Sequence, residues 1–214
     1  MDLLIFFTFG TFVGSFFNVV IYRMPRNESI IKPRSHCPTC KTSIPFYRNI
    51  PLVSFILQVG KCANCQGAIS FQYPAVELIN GLIWGWAFYT LPFPEAVIAS
   101  FLSSILIAIA WIDARIYMVP LDLIIAGVVV LLFAVIFGIL SYSQVLWGIA
   151  AGVLLPGFMM GLTWLVTRRQ GMGFGDLQLG LILGAWVGPI AMILTLFFAS
   201  FLGLVAWIVI SMVK

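Results

Sequence analysis

Long runs of apolar side chains alternate with short polar stretches along this chain. Most runs have the roughly 18–24 residues that an α-helix needs to cross a hydrocarbon core of about 30 Å, and they lack the two-residue alternation of barrel strands. The pattern predicts an all-α polytopic membrane protein with about seven transmembrane helices, of which the sixth is short enough to be tilted or partly re-entrant. The apolar segments lie at about 3–22, 73–91, 95–112, 122–140, 144–167, 176–188 and 189–212.

The composition excludes the main alternatives to a membrane protein. Hydrophobic residues make up 62% of the 214 residues and charged residues only 8%, whereas soluble domains carry about 25% charged residues. A soluble fold of this size would leave much of that apolar surface in contact with water. Soluble enzymes, secreted proteins and disordered proteins are therefore excluded as classes.

The basic residues predict the orientation in the membrane. Asp2 precedes the first apolar run, and Arg23 and Arg26 follow it, so we expect a retained first helix with its N-terminus outside rather than a cleaved signal. The net charge of +4 then reflects cytoplasmic loops and attraction to membrane lipid, and no nucleic-acid partner is expected. With seven helices, all eleven basic residues fall on the cytoplasmic side: Arg23, Arg26, Lys32, Arg34, Lys41, Arg48, Lys61, Arg115, Arg168, Arg169 and Lys214.

Residues 23–72 break the apolar pattern, because they are polar, basic and proline-rich and hold all four cysteines. This length is too short for a self-sufficient core, so a small cytoplasmic domain here needs a metal or a cross-link. The cysteines form two C-x-x-C pairs, a spacing that predicts a closed, structural zinc site of four thiolates. Disulfides are the alternative, disfavoured in the reducing cytoplasm. The four candidate ligands are Cys37, Cys40, Cys62 and Cys65.

His36 precedes the first cysteine pair directly. Because four thiolates already complete a tetrahedral set, we expect this histidine to be solvated or to lie beside the metal site rather than to bind the metal.

Four of the seven acidic residues lie inside or at the ends of apolar segments, where a carboxylate costs free energy and marks a candidate functional site. Asp113 closes the third segment and Asp176 opens the sixth, so the predicted topology puts both at the cytoplasmic face. Two carboxylates a few Å apart share one proton, so one can take a proton from water while the other protonates a leaving amine. Asp122 is expected to be a first-turn helix charge, and for Glu77 a first-turn charge and a functional role both stay open.

Three glycines lie just before Asp176, at Gly171, Gly173 and Gly175. A loop without side chains can accept an extended peptide backbone. The alternative is a flexible turn in which Asp176 caps the following helix, and these residues alone do not separate the two interpretations.

Together these motifs resemble the bacterial type IV prepilin leader peptidases, membrane aspartyl proteases of the GxGD type. The similarity runs over nearly the whole chain, in five motifs that occur in the family's order. These are 14–25 (GSFFNVVIYRMP), the two C-x-x-C pairs around 47–51 (YRNIP), 73–78 (YPAVEL), Asp113 seven residues before Pro120, and 171–176 (GMGFGD).

The resemblance implies an enzyme of the bacterial cytoplasmic membrane that cleaves the leader from prepilins and pseudopilins and then methylates the new N-terminal amine with S-adenosylmethionine. It implies that Asp113 and Asp176 are the catalytic pair and that Gly173 and Gly175 form the active-site loop. It associates methyl transfer with the cysteine-bearing loop and the segments beside it, and Glu77, in the second apolar segment, is our candidate residue. The expected organisation is a first helix at 1–22, a cytoplasmic zinc-binding domain at 23–72 and a transmembrane peptidase domain at 73–214.

Two positions depart from the family pattern. Leu121 follows Pro120 where the family usually has Asp, which leaves a compensating role open for Asp122, and Gln178 stands where Lys is usual. Two other classes of function are also compatible with the residues: a small transporter or channel that relays protons, and a non-enzymatic assembly scaffold with a zinc ribbon.

Overall fold

The structure, a computed structural model, describes residues 3–169 and 173–213. Two short 3₁₀ turns, Met24–Arg26 and Phe46–Arg48, lie between the first and third helices. Over the described residues the only β-type pairing is two isolated bridges, so the all-α prediction is confirmed. The helices are α1 (Leu3–Arg23), α2 (Val53–Leu57), α3 (Gln72–Thr90), α4 (Phe93–Ile116), α5 (Leu121–Ile136), α6 (Tyr142–Thr167), α7 (Phe174–Val187) and α8 (Pro189–Val213).

Each predicted apolar segment forms a helix, but some ends differ from the prediction where a cap or turn decides them. α4 continues past residue 112 to Ile116 and ends where Tyr117 adopts a left-handed φ of 54°, a common way to stop a helix. Asp113 therefore lies inside the last turn of α4 rather than after it. α5 ends at Ile136, earlier than residue 140, and the chain then turns at Gly138, whose φ is +70°.

Four helices of the described chain are long and apolar enough to cross a membrane: α4, α6, α8, and α1 together with its following 3₁₀ turn. α5 and α7 are apolar but shorter. These helices indicate a membrane protein. By helix length and composition four spans are supported, and the expected number of about seven stays a prediction.

The chain forms two compact units, Met1–Ala126 and Gly127–Lys214. In the first unit, α1 packs along α3 and both contact α4. A Cβ at Gly14 would lie 2.8 Å from the Cα of Glu77, so the missing side chain lets the two helix backbones meet. Trp84 of α3 donates a hydrogen bond to Oγ of Ser104 on α4 at 3.0 Å, which links these two helices.

In the second unit, α6 packs on α7 through two pairs of glycines. Gly148 faces Gly184, and Gly152 faces Gly180; a Cβ at any of the four would overlap the partner's backbone carbonyl. Small residues at four-residue spacing are the usual means of close helix contact in membranes. This contact positions α7, which carries Asp176 in its first turn.

Candidate active site and metal centre

The first C-x-x-C pair lies in a tight turn. The amide of Cys37 donates to the carbonyl oxygen of Thr42 at 3.0 Å, and the amide of Lys41 donates to the carbonyl oxygen of Cys37 at 2.9 Å. Lys41, just after Cys40, has a φ of 58°, and this left-handed residue turns the chain back on itself. Both sulfur atoms thereby end on the same side of the turn.

The second pair repeats this geometry. The amide of Cys62 donates to the carbonyl oxygen of Gly67 at 2.8 Å, and the amide of Gln66 donates to the carbonyl oxygen of Cys62 at 2.9 Å. Gln66, just after Cys65, has a φ of 57°. The repeat is longer than C-x-x-C, because both turns read C-x-x-C-x-x-x-I, at 37–44 and 62–69.

The two turns bring the four predicted ligands together. Their sulfur atoms all lie within 4.8 Å of one another, and the cysteines are free rather than disulfide-bonded. Four thiolates about 2.3 Å from one tetrahedral ion would lie roughly 3.8 Å apart, and the Sγ atoms of Cys37 and Cys65 are 3.9 Å apart. The donor set and its spacing thus fit a metal ion such as zinc. His36 is not a member of this cluster; its Nδ1 lies 3.2 Å from the carbonyl oxygen of Arg34.

The pKa values of these thiols differ because their surroundings differ. The side chain of Thr42, the largest influence, and the amide nitrogen of Asn64 lower the pKa of Cys40 to about 5. The backbone amide of Gly67 lowers the pKa of Cys65, but desolvation and the neighbouring thiols outweigh it and raise that pKa to about 11. A bound cation would hold all four cysteines as thiolates, because metal ligation displaces thiol protons.

A cavity of about 350 Å³ lies inside the first unit. It is enclosed by α1, α3 and the residues between them, 24–71, which we call the cysteine segment; Arg115 of α4 also reaches it. Its volume is in the range of small-molecule sites, which begin at about 300 Å³. Its charged lining is one carboxylate and three guanidinium groups: Glu77, Arg23, Arg48 and Arg115.

Glu77 lies on the sixth residue of α3 and is buried. A first-turn charge, one of the two expectations for it, is therefore wrong. Its Oε2 accepts a hydrogen bond from the backbone amide of Leu52 at 2.8 Å, and Leu52 has a φ of 61°, which is unfavourable for a residue with a side chain. Glu77 thus ties the cysteine segment to α3 and also lines the cavity.

Arg23, the last residue of α1, is buried despite its charge. Its guanidinium donates to the carbonyl oxygens of Ser29 at 2.9 Å and Pro33 at 2.7 Å. These bonds hold the start of the cysteine segment against the end of α1. The sequence marked Arg23 only as a basic residue at the membrane boundary and did not indicate this role.

The two predicted catalytic acids belong to different units. Asp113 is partly exposed in the last turn of α4, where its carbonyl oxygen accepts from the amide of Tyr117 at 2.9 Å. Asp176 is exposed in the first turn of α7, and its Oδ2 accepts from the amide of Gly173 at 3.2 Å. The capping alternative for Asp176 is therefore realised, and its exposed carboxylate also stays accessible for chemistry. That the two carboxylates meet remains a prediction.

The other sequence expectations concern the residues around these acids. Asp122 is exposed in the first turn of α5, as expected for a first-turn charge. Gly173 and Gly175 flank the start of α7. Gly171 of the same loop lies outside the described residues, as do Asp2 and Lys214.

Protein-family models match both halves of the chain. Residues 8–91 match the bacterial peptidase A24 N-terminal domain, and residues 100–208 match the type IV leader peptidase family. No solved structure matches the chain.

Several curated proteins are similar over most of the chain. A protein of Myxococcus xanthus named prepilin leader peptidase/N-methyltransferase is 36% identical over 210 residues, which cover 94% of this chain and 61% of the relative. The Neisseria gonorrhoeae protein of the same name is 35% identical over 240 residues, covering 96% of this chain and 81% of the relative. A type 4 prepilin-like proteins leader peptide-processing enzyme of Escherichia coli is 35% identical over 222 residues, with coverages of 92% and 81%.

This chain therefore spans less than two thirds of the Myxococcus protein and about four fifths of the other two. One family model covers about half of the chain, and the gonococcal relative is above 30% identity over nearly all of it. The chain belongs to the type IV leader peptidase family.

Proposed function

We propose that this protein cleaves the leader peptide of type IV prepilins and pseudopilins at the cytoplasmic membrane face and N-methylates the new N-terminal residue with S-adenosylmethionine. The observation that carries this proposal is the match of both halves of the chain to the family, together with relatives named for both activities. The substrates are prepilins and pseudopilins embedded in lipid, with no nucleic acid involved.

The proposed organisation in the membrane has about seven helices, with the N-terminus outside and the cysteine segment in the cytoplasm of a bacterial cell. Two observations support it. Four helices are long and apolar enough to span, and α5 and α7 are shorter apolar helices. The basic residues occur only in alternate connections between the seven predicted apolar segments. We retain the division into a first helix at 1–22, a zinc-binding domain at 23–72 with a zinc-ribbon-like arrangement of its two cysteine turns, and a peptidase domain at 73–214.

Peptide hydrolysis is assigned to Asp113 and Asp176. The ionised carboxylate of the pair takes a proton from water, which attacks the scissile carbonyl carbon, while the protonated partner donates to the carbonyl oxygen. Collapse of the tetrahedral species breaks the C–N bond. The proton taken from water goes to the leaving amine, and one hydroxyl group of the tetrahedral species returns its proton to the aspartate that had donated one, so the pair again shares a single proton. Gly173 and Gly175 leave room beside Asp176 for the extended substrate backbone.

Methyl transfer is assigned to the cavity of the first unit. S-adenosylmethionine, when bound, supplies an electrophilic methyl group. Glu77 can hold the substrate amine and accept its proton. The amide of Leu52 uses one lone pair of Oε2, and each carboxylate oxygen offers two, so lone pairs remain for the amine. The guanidinium groups of Arg48 and Arg115 suit the carboxylate of the methyl donor.

Zinc is assigned to the four cysteines as a structural ion. A closed set of four thiolates leaves no position for a catalytic water, so the ion would stabilise the folded cysteine segment rather than take part in the chemistry. The cavity borders both cysteine turns, which explains how loss of the metal would disturb methyl transfer.

The test is mass spectrometry of the N-terminus of a pilin co-expressed with the enzyme, which reports cleavage and methylation together. Asp113→Asn and Asp176→Asn should each lower cleavage by at least about 100-fold, with metal content and folding unchanged. Glu95→Gln is the matched control, because Glu95 lies in the first turn of α4 at the opposite end from Asp113. Normal cleavage by either Asn variant would refute the assignment, and a wild-type chain without turnover would favour the scaffold.

A further inference from the structure

The short helix α2 carries three of its apolar side chains on the outside. Val53, Ile56 and Leu57 are spaced so that they share one helix face, and Ile56 and Leu57 are 71% and 77% exposed. Ser54 lies beside this face and is buried, with its Oγ accepting from the amide of Ile50 at 2.9 Å. Phe55, on the opposite face, lines the cavity, so α2 is apolar both toward the cavity and on its outer face.

Apolar side chains are also exposed before and after this helix in the sequence. Phe46 before it and Val59 after it are 86% and 81% exposed. We call these five residues the α2 face: Phe46, Val53, Ile56, Leu57 and Val59. Five exposed large apolar side chains within 14 residues of a polar, basic segment indicate a candidate interaction site.

The position of α2 along α1 gives the depth of this face. The Cβ position of Gly14 adjoins the Cα of Glu77, and Arg23 ends α1 nine residues later, a distance of roughly 13 Å at 1.5 Å per residue. The Glu77 side chain leans toward the start of α3, and its Oε2 holds the amide of Leu52 at 2.8 Å. The beginning of α2 therefore lies roughly 8–10 Å inside the end of α1.

That depth corresponds to the lipid interface. α1 has 21 residues, or about 31 Å, which matches the hydrocarbon core, so Arg23 marks the boundary of that core. Interfacial helices bury their apolar face about 5–10 Å into the region between headgroups and acyl chains. Phe16 of α1 is half exposed and lies about 10 Å inside the end of that helix, so a large apolar side chain of α1 is exposed at the same level as α2.

The charges near α2 fit the same environment. Arg48 and Lys61 lie before and after α2 in the sequence, and both are exposed. Such residues are attracted to anionic headgroups of the cytoplasmic leaflet, while the apolar side chains between them enter the acyl region.

We propose that the α2 face is inserted into the cytoplasmic leaflet, so that the cysteine segment is anchored in the lipid interface instead of standing free in the cytoplasm. The anchor consists of α2 and its flanking residues, and the bond between Leu52 and Glu77 sets its depth. This inference requires that α1 spans the membrane with Arg23 at the cytoplasmic face, as proposed above, and it does not depend on the proposed enzymatic activity.

The experiment uses the full chain in phospholipid nanodiscs, with a fluorescent amino acid incorporated by codon suppression. One variant carries it at Ile56, and the control carries it at Glu28, an exposed residue of the same segment that follows the end of α1. Lipids brominated on their acyl chains should quench the Ile56 probe at least about threefold more than the Glu28 probe, because only the former lies among acyl chains. Aqueous iodide should show the reverse order.

Only preparations with the metal content of the unsubstituted chain are compared, which ensures that the cysteine segment is folded. Equal quenching of both probes by iodide would overturn the proposal. The proposal would also be overturned if adding a pilin protected the Ile56 probe from brominated lipid, since the α2 face would then bind the substrate helix. Cleavage and methylation of a pilin are measured separately, so failure of the anchor and failure of the proposed function are distinguished.

Discussion

Because α6 and α7 are in close contact, we predict that a methyl group added at Gly152 of α6 displaces α7 and with it Asp176. We consider Gly152→Ala, with Gly161→Ala on the same helix as the matched control. A Cβ at Gly152 would overlap the carbonyl of Gly180, whereas a Cβ at Gly161 would meet nothing within 4 Å. The two variants differ in packing alone, because both replace a helical glycine by alanine.

The expected change in the free energy of unfolding follows from two opposing effects. Alanine in place of glycine stabilises a helix interior by roughly 0.5–1 kcal/mol, and this gain is all that Gly161→Ala should show. At Gly152 the clash involves rigid backbone, so α6 and α7 must separate, and overpacking of this kind costs about 1–3 kcal/mol. Since both variants share the gain, Gly152→Ala should be less stable than Gly161→Ala by about 1–3 kcal/mol, which corresponds to a Tm lower by roughly 2–12 °C for a protein of this size.

The assay combines thermal unfolding in detergent with pilin cleavage. Asp176 lies in the first turn of α7, and a displacement of about 1 Å at a catalytic group can cost about 100-fold in rate. Gly152→Ala should therefore lose both stability and cleavage, while Gly161→Ala keeps both. If Gly152→Ala were as stable as Gly161→Ala, the close approach of the two helices would be refuted.

The remaining predictions concern the cysteine segment. Cys62→Ser should release the metal, measured by elemental analysis, and should lower methylation more than cleavage; unchanged methylation in the metal-free variant would contradict the proposed link. Glu77→Gln keeps an oxygen to accept the Leu52 amide and should fold normally, yet lose most methylation, and normal methylation would remove Glu77 from the mechanism. Glu77→Ala also leaves that amide without its partner, so it should destabilise the protein by about 1–3 kcal/mol, and a Tm equal to that of Glu77→Gln would argue against the bond.

The sequence predicted the apolar helices well, because crossing a membrane depends on the local composition of one segment. It predicted the ends of these helices less well. Hydrophobicity does not reveal the left-handed residue Tyr117 that ends α4, or the turn at Gly138 after α5. For this reason Asp113 was expected after a helix and lies within one.

Two features of the fold are visible in the sequence as repeats of single residue types. The C-x-x-C-x-x-x-I repeat marks two equivalent turns, and the glycines at 148, 152, 180 and 184 mark the contact of α6 with α7. Both signals are regular spacings of cysteine, isoleucine or glycine, and neither apolar runs nor ionisable groups reveal them.

Local chemistry therefore accounts for which segments are helices, which cysteines can bind a metal and which acids are candidates for catalysis, since each depends on residues close in the sequence. The role of Glu77 as the partner of Leu52, the carbonyl bonds of Arg23 and the cavity between α1, α3 and the cysteine segment became apparent only from the folded chain. These features join residues far apart along the sequence or depend on side-chain direction, and no local pattern encodes such contacts. The outward apolar face of α2 belongs with them, because a helix of five residues has no periodicity long enough to show which side is buried.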